Sequence, residues 1–176
     1  MKRFCGLIGP GGRVLDLACG RGRHAKLLRG LGYAVVGLDR DESALRAMDE
    51  GIDVVQADVE SGPWPFAPRS FDGIVVANYL HRPLFPSIRE ALAEDGVLIY
   101  ETFAAGNERH GRPANPDFLL QPDELLRQCR PLDTVAFEQG YVSRPRPAVV
   151  QRICAIRGQL SPARTDLAAL PGIPLG

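Results

Sequence analysis

The chain has 176 residues, 45% apolar and 24% charged, and its 21 basic and 21 acidic side chains cancel. This length and composition are typical of one globular domain with a buried core. The balanced charge, and the lack of an apolar segment of about 18 residues, argue against nucleic acid and membrane as partners. No apolar signal segment follows Lys2 and Arg3, and the four cysteines form no CxxC pair, so we expect a cytoplasmic protein with reduced thiols and no metal site.

Apolar, β-branched segments alternate with segments of helical composition along the chain. The predicted strands are 13–18, 34–38, 54–57, 73–77, 97–100, 134–142 and 148–156, and the predicted helices are 24–31, 43–50 and one around 88–92 that Asp95 and Gly96 end. Such alternation predicts a parallel sheet with helices on both faces. The last two strands are joined by residues 143–147 alone, which predicts an antiparallel hairpin. We expect 1–157 to form the domain and 158–176, with three prolines, a loosely docked tail.

A glycine loop follows the first predicted strand. Residues 14–25 read Val-Leu-Asp-Leu-Ala-Cys-Gly-Arg-Gly-Arg-His-Ala, with Asp16 in the strand and Gly20 and Gly22 before a helix. Glycine lets the backbone come close to a ligand because it has no Cβ. The helix N-terminus offers free N–H groups and the positive end of a dipole to a carboxylate or phosphate. The sequence therefore predicts a nucleotide-cofactor loop.

Three acidic residues stand at the ends of successive predicted strands, namely Asp16, Asp39 and Asp58. A parallel α/β sheet binds ligands beyond the carboxyl ends of its strands. Asp39, about 20 residues past the loop, is placed to accept from ribose hydroxyls. Asp58 can accept from an exocyclic amine such as that of adenine. The glycine pattern alone also fits enzymes that bind NAD.

These residues, with Ala57-Asp58-Val59 and Phe71-Asp72-Gly73-Ile74-Val75-Val76, resemble the class I S-adenosylmethionine-dependent methyltransferases over residues 13–156. The resemblance is nearest to the small-molecule branch that includes tellurite-resistance and thiopurine methyltransferase-like proteins. It implies an α/β, Rossmann-like fold: a mostly parallel seven-stranded sheet in the order 3-2-1-4-5-7-6, with the last strand antiparallel and helices on both faces. S-adenosylmethionine is the cofactor that it implies.

The same resemblance assigns residues to the cofactor. Asp16 and the backbone of Ala18, Gly20 and Gly22 hold the methionine part, and Asn78 lies beside it where the acceptor enters. Asp39 takes the ribose hydroxyls, Asp58 with the backbone of Val59 holds the adenine, and Arg40 is a further cofactor-binding residue. Many members of the family have glycine where this chain has Ala18.

Two loops carry the candidate residues for the methyl acceptor, 78–83 after the fourth strand and 106–118 after the fifth. His81 and Tyr79 are the catalytic candidates, with His81 as proton acceptor; the alternative is that both only shape the pocket. Asn78-Tyr79-Leu80-His81 differs from the Asn/Asp-Pro-Pro-Tyr/Phe tetrapeptide of enzymes that methylate amines in nucleic acids and glutamine. The sequence therefore favours a small-molecule acceptor.

Two other functions remain open at this point. One is a sensor or partner protein that binds S-adenosylmethionine without catalysis, and the other is an NAD-dependent oxidoreductase. About 12 residues precede the first predicted strand, fewer than the covering helix of related proteins needs. The lid over the site is then the 106–118 loop or a neighbouring subunit, and for that reason we consider a homodimer.

Overall fold

The β-branched segments form seven strands in the computed structural model, which describes residues 2–159. The strands are β1 (Arg13–Leu17), β2 (Ala34–Asp39), β3 (Asp53–Gln56), β4 (Phe71–Ala77), β5 (Leu92–Phe103), β6 (Asp133–Val142) and β7 (Ala148–Ile156). The helices are α1 (Lys2–Cys5), α2 (Arg23–Gly30), α3 (Glu42–Leu45), α4 (Phe85–Ala91) and α5 (Glu124–Gln128). Most of the predicted tail, 160–176, lies outside the described residues.

The strands make one sheet in the order β3-β2-β1-β4-β5-β7-β6. β7 pairs antiparallel with both β5 and β6, and every other neighbouring pair is parallel. The predicted fold class, strand order and final hairpin are confirmed. Because β1 and β4 are neighbours at the centre, the segments that follow them meet at one edge of the sheet.

The predicted helix around 88–92 ends before the two residues expected to terminate it, Asp95 and Gly96. α4 stops at Ala91, and Leu92 begins β5, where it pairs with Phe71. The register then shifts before Val97 pairs with Gly73, and Asp95 takes a left-handed backbone with φ of 62°. Asp95 and Gly96 therefore lie in an irregular start of the strand, and they do not end the helix.

The predicted helix 43–50 is wrong in its length. α3 spans Glu42–Leu45, with Asp41 as N-cap, its carboxylate accepting from the N–H groups of Ser43 and Ala44. Beyond it, Ala47 and Met48 donate to carbonyls three residues back, at 3.2 and 3.0 Å. These tighter turns end the α-helical pattern.

Alternate residues of the strands fill two separate cores. Leu15, Ile74 and Tyr100 pack on one face with α4, whereas Val75 and Ile99 pack on the other face with α2. The central strands are buried on both faces, which explains their nearly continuous apolar sequences. In the described part of the chain, no helix is long and apolar enough to cross a membrane.

Candidate active site

The loop between β1 and α2 turns through three left-handed residues. Ala18, Gly20 and Gly22 have φ values of 54°, 53° and 73°. A Cβ on Gly20 would meet no atom within 4 Å, so the space in front of this residue is open. A Cβ on Gly22 would instead run into the thioether of Met48, which packs beneath the loop. Gly20 thus leaves room for a ligand, and Gly22 allows the loop to pack closely against Met48.

A cavity of about 620 Å³ lies in front of this loop, which is a suitable size for a small-molecule cofactor. It is lined by Ala18, Cys19, Gly20, Arg21, Arg23, His24, Lys26, Ala77 and Asn78. The loop after β1 and the end of β4 therefore form one site, as the sheet order requires. Asn78 follows β4 with φ of 57°, and its N–H donates to the Glu101 carbonyl at 2.9 Å.

Asp16 supports the loop from beneath. It is 1% exposed, and its Oδ2 accepts a hydrogen bond from the Ala25 N–H at 2.8 Å, which ties the first turn of α2 to β1. Burial raises the pKa of Asp16 to about 7, against the opposing effects of this hydrogen bond and of the Arg23 charge. Direct contact of Asp16 with a cofactor stays a prediction, and the support it gives to α2 is observed.

Asp39 lies at the end of β2, beside the loop. Its Oδ2 accepts from the Gly20 N–H at 2.8 Å, and its Oδ1 accepts from the Asp41 N–H at 3.0 Å. A carboxylate can accept about four hydrogen bonds. Asp39 therefore keeps lone pairs for the hydroxyls of a ribose while it holds the loop.

Asp58 lies two residues beyond β3, near Asp39, because Gln56 pairs with Asp39 in the parallel ladder. Its carboxylate accepts from the Ser61 hydroxyl at 2.8 Å and from the Glu60 N–H at 3.0 Å, and these two bonds lower its pKa. Arg40 is 4.0 Å from the Glu60 carboxylate, and Val59 is 8% exposed. The residues assigned to ribose and adenine thus follow one another along this edge of the sheet.

The two catalytic candidates from the sequence lie outside the cavity. The Tyr79 hydroxyl is buried near the Glu60 carboxylate, and burial, then that carboxylate, raises its pKa. His81 precedes a short 3₁₀ turn, Arg82–Leu84, and its carbonyl accepts from the Leu84 N–H at 3.1 Å. Their catalytic role stays a prediction.

His24, which the sequence analysis did not select, lines the cavity. The Arg23 guanidinium donates to its Nε2 at 3.1 Å, and burial, then the Arg23 charge, lower its pKa. The imidazole is therefore neutral near pH 7. Its position directly after Gly22 was the available signal, since the first turn of the helix behind a glycine loop faces the ligand.

The 106–118 loop is anchored to the sheet and to the loop after β4. The amide of Asn107 donates to the Pro113 carbonyl at 3.1 Å and accepts from the Val149 N–H at 3.2 Å. Arg82 donates to both carboxylate oxygens of Glu124, at 2.6 and 3.0 Å, and to the Asp117 carbonyl at 2.6 Å. These contacts join the two loops that the sequence assigned to the acceptor.

Within residues 2–159, no group of three or more His, Cys, Asp or Glu side chains is arranged to hold a metal ion.

Comparison with known proteins agrees with the geometry of the site. Residues 14–96 match the model of a family described as a methyltransferase domain. No curated protein matches the chain.

Solved structures share the fold at low sequence identity. TehB from Haemophilus influenzae is 18% identical with a TM-score of 0.72, over 86% of this chain and 59% of TehB. An S-adenosylmethionine-dependent methyltransferase from Mesorhizobium loti is 20% identical with a TM-score of 0.69, over 85% of this chain and 93% of that one. One from Methanosarcina mazei is 15% identical with a TM-score of 0.70, over 88% and 96%. The chain thus spans less than two thirds of TehB.

The site fits the cofactor of these proteins. The open space at Gly20 admits the close approach of a ligand, the cavity of about 620 Å³ has room for it, and Asp39 has lone pairs to spare beside the loop. Residues 14–96 thus match a methyltransferase domain, and the chain shares the fold of S-adenosylmethionine-dependent methyltransferases of known structure.

Proposed function

We propose that the chain transfers a methyl group from S-adenosylmethionine to a small-molecule acceptor. One observation carries this proposal: the cavity in front of the glycine loop adjoins a second cavity of about 820 Å³, and Arg23, His24 and Ala77 line both. Two ligands can therefore be held side by side, as a group transfer requires. The similarity in fold to S-adenosylmethionine-dependent methyltransferases supports the same reading.

The main contribution of the protein to the reaction is to hold the cofactor and the acceptor in position. When bound, S-adenosylmethionine supplies an electrophilic methyl group on a positively charged sulfur. The backbone of Gly20, with Asp39 and Asn78 beside it, would fix the cofactor, and the walls shared by the two cavities would keep the acceptor next to it. Holding two reactants in one orientation supplies several kcal/mol of the barrier, about 7–11 in the most favourable cases.

An acceptor that carries a proton needs a base, and an ionised one does not. The sequence proposes His81, with Tyr79, for this role. The structure adds His24, whose neutral imidazole lies in the wall between the two cavities. The two histidines differ in position, so substitution of each one separates the hypotheses.

The experiment is methyl transfer from methyl-labelled S-adenosylmethionine to a small-molecule fraction of a cell extract. We expect a labelled product with the wild-type protein and none with Gly20→Val, whose side chain would occupy the open space at the loop. Binding of S-adenosylhomocysteine without any labelled product would favour a non-catalytic binding protein. Binding of NAD in its place would favour an oxidoreductase.

Sedimentation of the same preparation tests the homodimer, which a monomer mass at micromolar concentration contradicts.

A further inference from the structure

The floor of the larger cavity consists of two rows of side chains that cross four neighbouring strands. β4, β5, β7 and β6 are paired so that the residues of each row stand opposite one another. The first row is Val75, Ile99, Cys154 and Ala136, and the second row is Ala77, Glu101, Arg152 and Glu138. All eight residues line the cavity, which lies on the α2 face of the sheet.

The first row gives the cavity an apolar floor. Val75, Ile99 and Cys154 are at most 5% exposed. Phe4 of α1 and Leu27 of α2 stand as apolar walls. Because the floor side chains are small or medium in size, about 820 Å³ stays open above them. A cavity of this size and lining suits the apolar body of a small organic molecule.

The second row holds the Arg152 guanidinium between the carboxylates of Glu101 and Glu138, so its net charge is −1. Arg152 Nε is 2.6 Å from Glu101 Oε2, and its Nη1 is 3.4 Å from Glu138 Oε2. Because one guanidinium faces two carboxylates, this row offers no net attraction for an anionic ligand. The row marks the end of the cavity nearest the glycine loop, since Glu101 stands opposite Ala77 and Ala77 lines both cavities.

Three other cations in the cavity wall lack such compensation. Lys2, Arg3 and Arg23 line the cavity, and within residues 2–159 none has a carboxylate within 4.0 Å. The Nε of Arg3 is buried and has no hydrogen-bond partner among these residues. A buried donor without a partner destabilises the protein, and the cost is larger when the donor belongs to a charged group. A ligand with an anionic group would remove that cost.

We propose that this cavity binds the methyl acceptor, and that the acceptor is a small organic anion whose apolar body lies on the Val75–Ile99–Cys154–Ala136 row. This inference rests on the proposed function. Lys2 and Arg3 bind the anionic group, and they line only the larger cavity. The cofactor cavity keeps its own lining, so the two ligands are recognised by separate side chains except at the shared wall.

The test uses two probes of equal shape, the 2-naphthoate anion and neutral 2-naphthamide, titrated with S-adenosylhomocysteine present. We expect 2-naphthoate to bind at least about tenfold more tightly, the usual size of one charge-assisted hydrogen bond. The methyl resonance of Ile99 should shift on binding. That of Ile74, on the opposite face of the sheet, should stay in place.

Substitutions test which side chains bind the anionic group of the ligand. Combined Lys2→Gln and Arg3→Gln should weaken 2-naphthoate about tenfold or more and leave 2-naphthamide and S-adenosylhomocysteine unchanged. Arg130→Gln, an exposed arginine after α5, is the matched control and should have no effect. Arg109→Gln tests the rival site in the 106–118 loop. Equal binding of both probes, or dependence on Arg109 in place of Lys2 and Arg3, would overturn the inference.

Failure of the inference is distinguishable from failure of the proposed function. If S-adenosylhomocysteine binds and 2-naphthoate does not, the acceptor cavity is wrong and the methyltransferase proposal stands. If 2-naphthoate binds with the predicted dependence and S-adenosylhomocysteine does not, the anion site stands and the methyltransferase proposal fails.

Discussion

The carboxylate of Asp39, at the end of β2, accepts a hydrogen bond of 2.8 Å from the backbone N–H of Gly20 in the loop after β1. The two residues are 19 positions apart, and the parallel pairing of β1 with β2 brings them together. The residue assigned to the ribose therefore also fixes the loop assigned to the methionine part. Substitution of Asp39 should therefore weaken cofactor binding both at the ribose and at the methionine part.

Gly20 and Gly11 form a matched pair for testing the loop. Both have positive φ, 53° and 69°, and a Cβ on either would meet no atom within 4 Å. Gly20→Ala and Gly11→Ala should therefore each cost about 1–2 kcal/mol of folding free energy through backbone strain. Only Gly20→Ala should weaken S-adenosylhomocysteine, because only Gly20 lines the cofactor cavity. Thermal unfolding and calorimetry give both numbers, and equal ligand affinity in the two variants would contradict the placement of the site.

Asp16 should make the protein less stable as the pH rises. Burial raises its pKa in the folded protein to about 7 from its usual value of 3.8. The folded state thus keeps a proton that the unfolded chain releases, and stability falls between about pH 4 and pH 7. Asp16→Asn should remove this part of the fall, roughly 4 kcal/mol at most. Denaturant unfolding at pH 5 and pH 7.5 measures this loss of stability, and Asp41→Asn, which removes an exposed carboxylate, is the control. Parallel pH profiles of stability for the wild type and Asp16→Asn would contradict the role of Asp16.

The ion pair between Arg82 and Glu124 should contribute to stability. The Glu124 side chain is 9% exposed and also accepts from the Gln121 N–H at 2.8 Å. Arg82→Met leaves this carboxylate buried without its cation and should cost roughly 2–3 kcal/mol. Adding Glu124→Gln should recover part of the loss. Arg46→Met breaks an exposed pair with Glu42 and should cost about 0.5 kcal/mol or less; equal losses in urea unfolding for the two arginine variants would show that burial is not the cause.

Substitution of each histidine identifies the proton acceptor once an acceptor molecule is in hand. His24 has a pKa below its usual range, so kcat/KM should rise with pH below neutrality and level off above it. His24→Ala should remove this rise and lower kcat about 100-fold. His81→Ala should leave the rise intact if His24 is the base. Survival of the rise in His24→Ala, with its loss in His81→Ala, would assign the role to His81.

The central strands and the glycine loop could be predicted because their signals are local. Residues 14–22 carry the strand, the acid and the turn in one short segment. The row of Glu101, Arg152 and Glu138 could not be predicted, because it depends on the register of β7 between β5 and β6. The length of α3 also escaped prediction, since Ala47 and Met48 have helical composition but donate to carbonyls three residues back.

The most direct test of the central claim is calorimetric titration of S-adenosylhomocysteine and of NAD into wild-type protein and Asp39→Ala. Asp53→Ala, which removes an exposed acid of β3, is the control. We predict that S-adenosylhomocysteine binds, that NAD does not, and that Asp39→Ala weakens binding about 10- to 150-fold, the effect of about 1.5–3 kcal/mol for hydrogen bonds to a charged group. Binding of NAD in place of S-adenosylhomocysteine, or equal affinity in Asp39→Ala and Asp53→Ala, would contradict the account of this site.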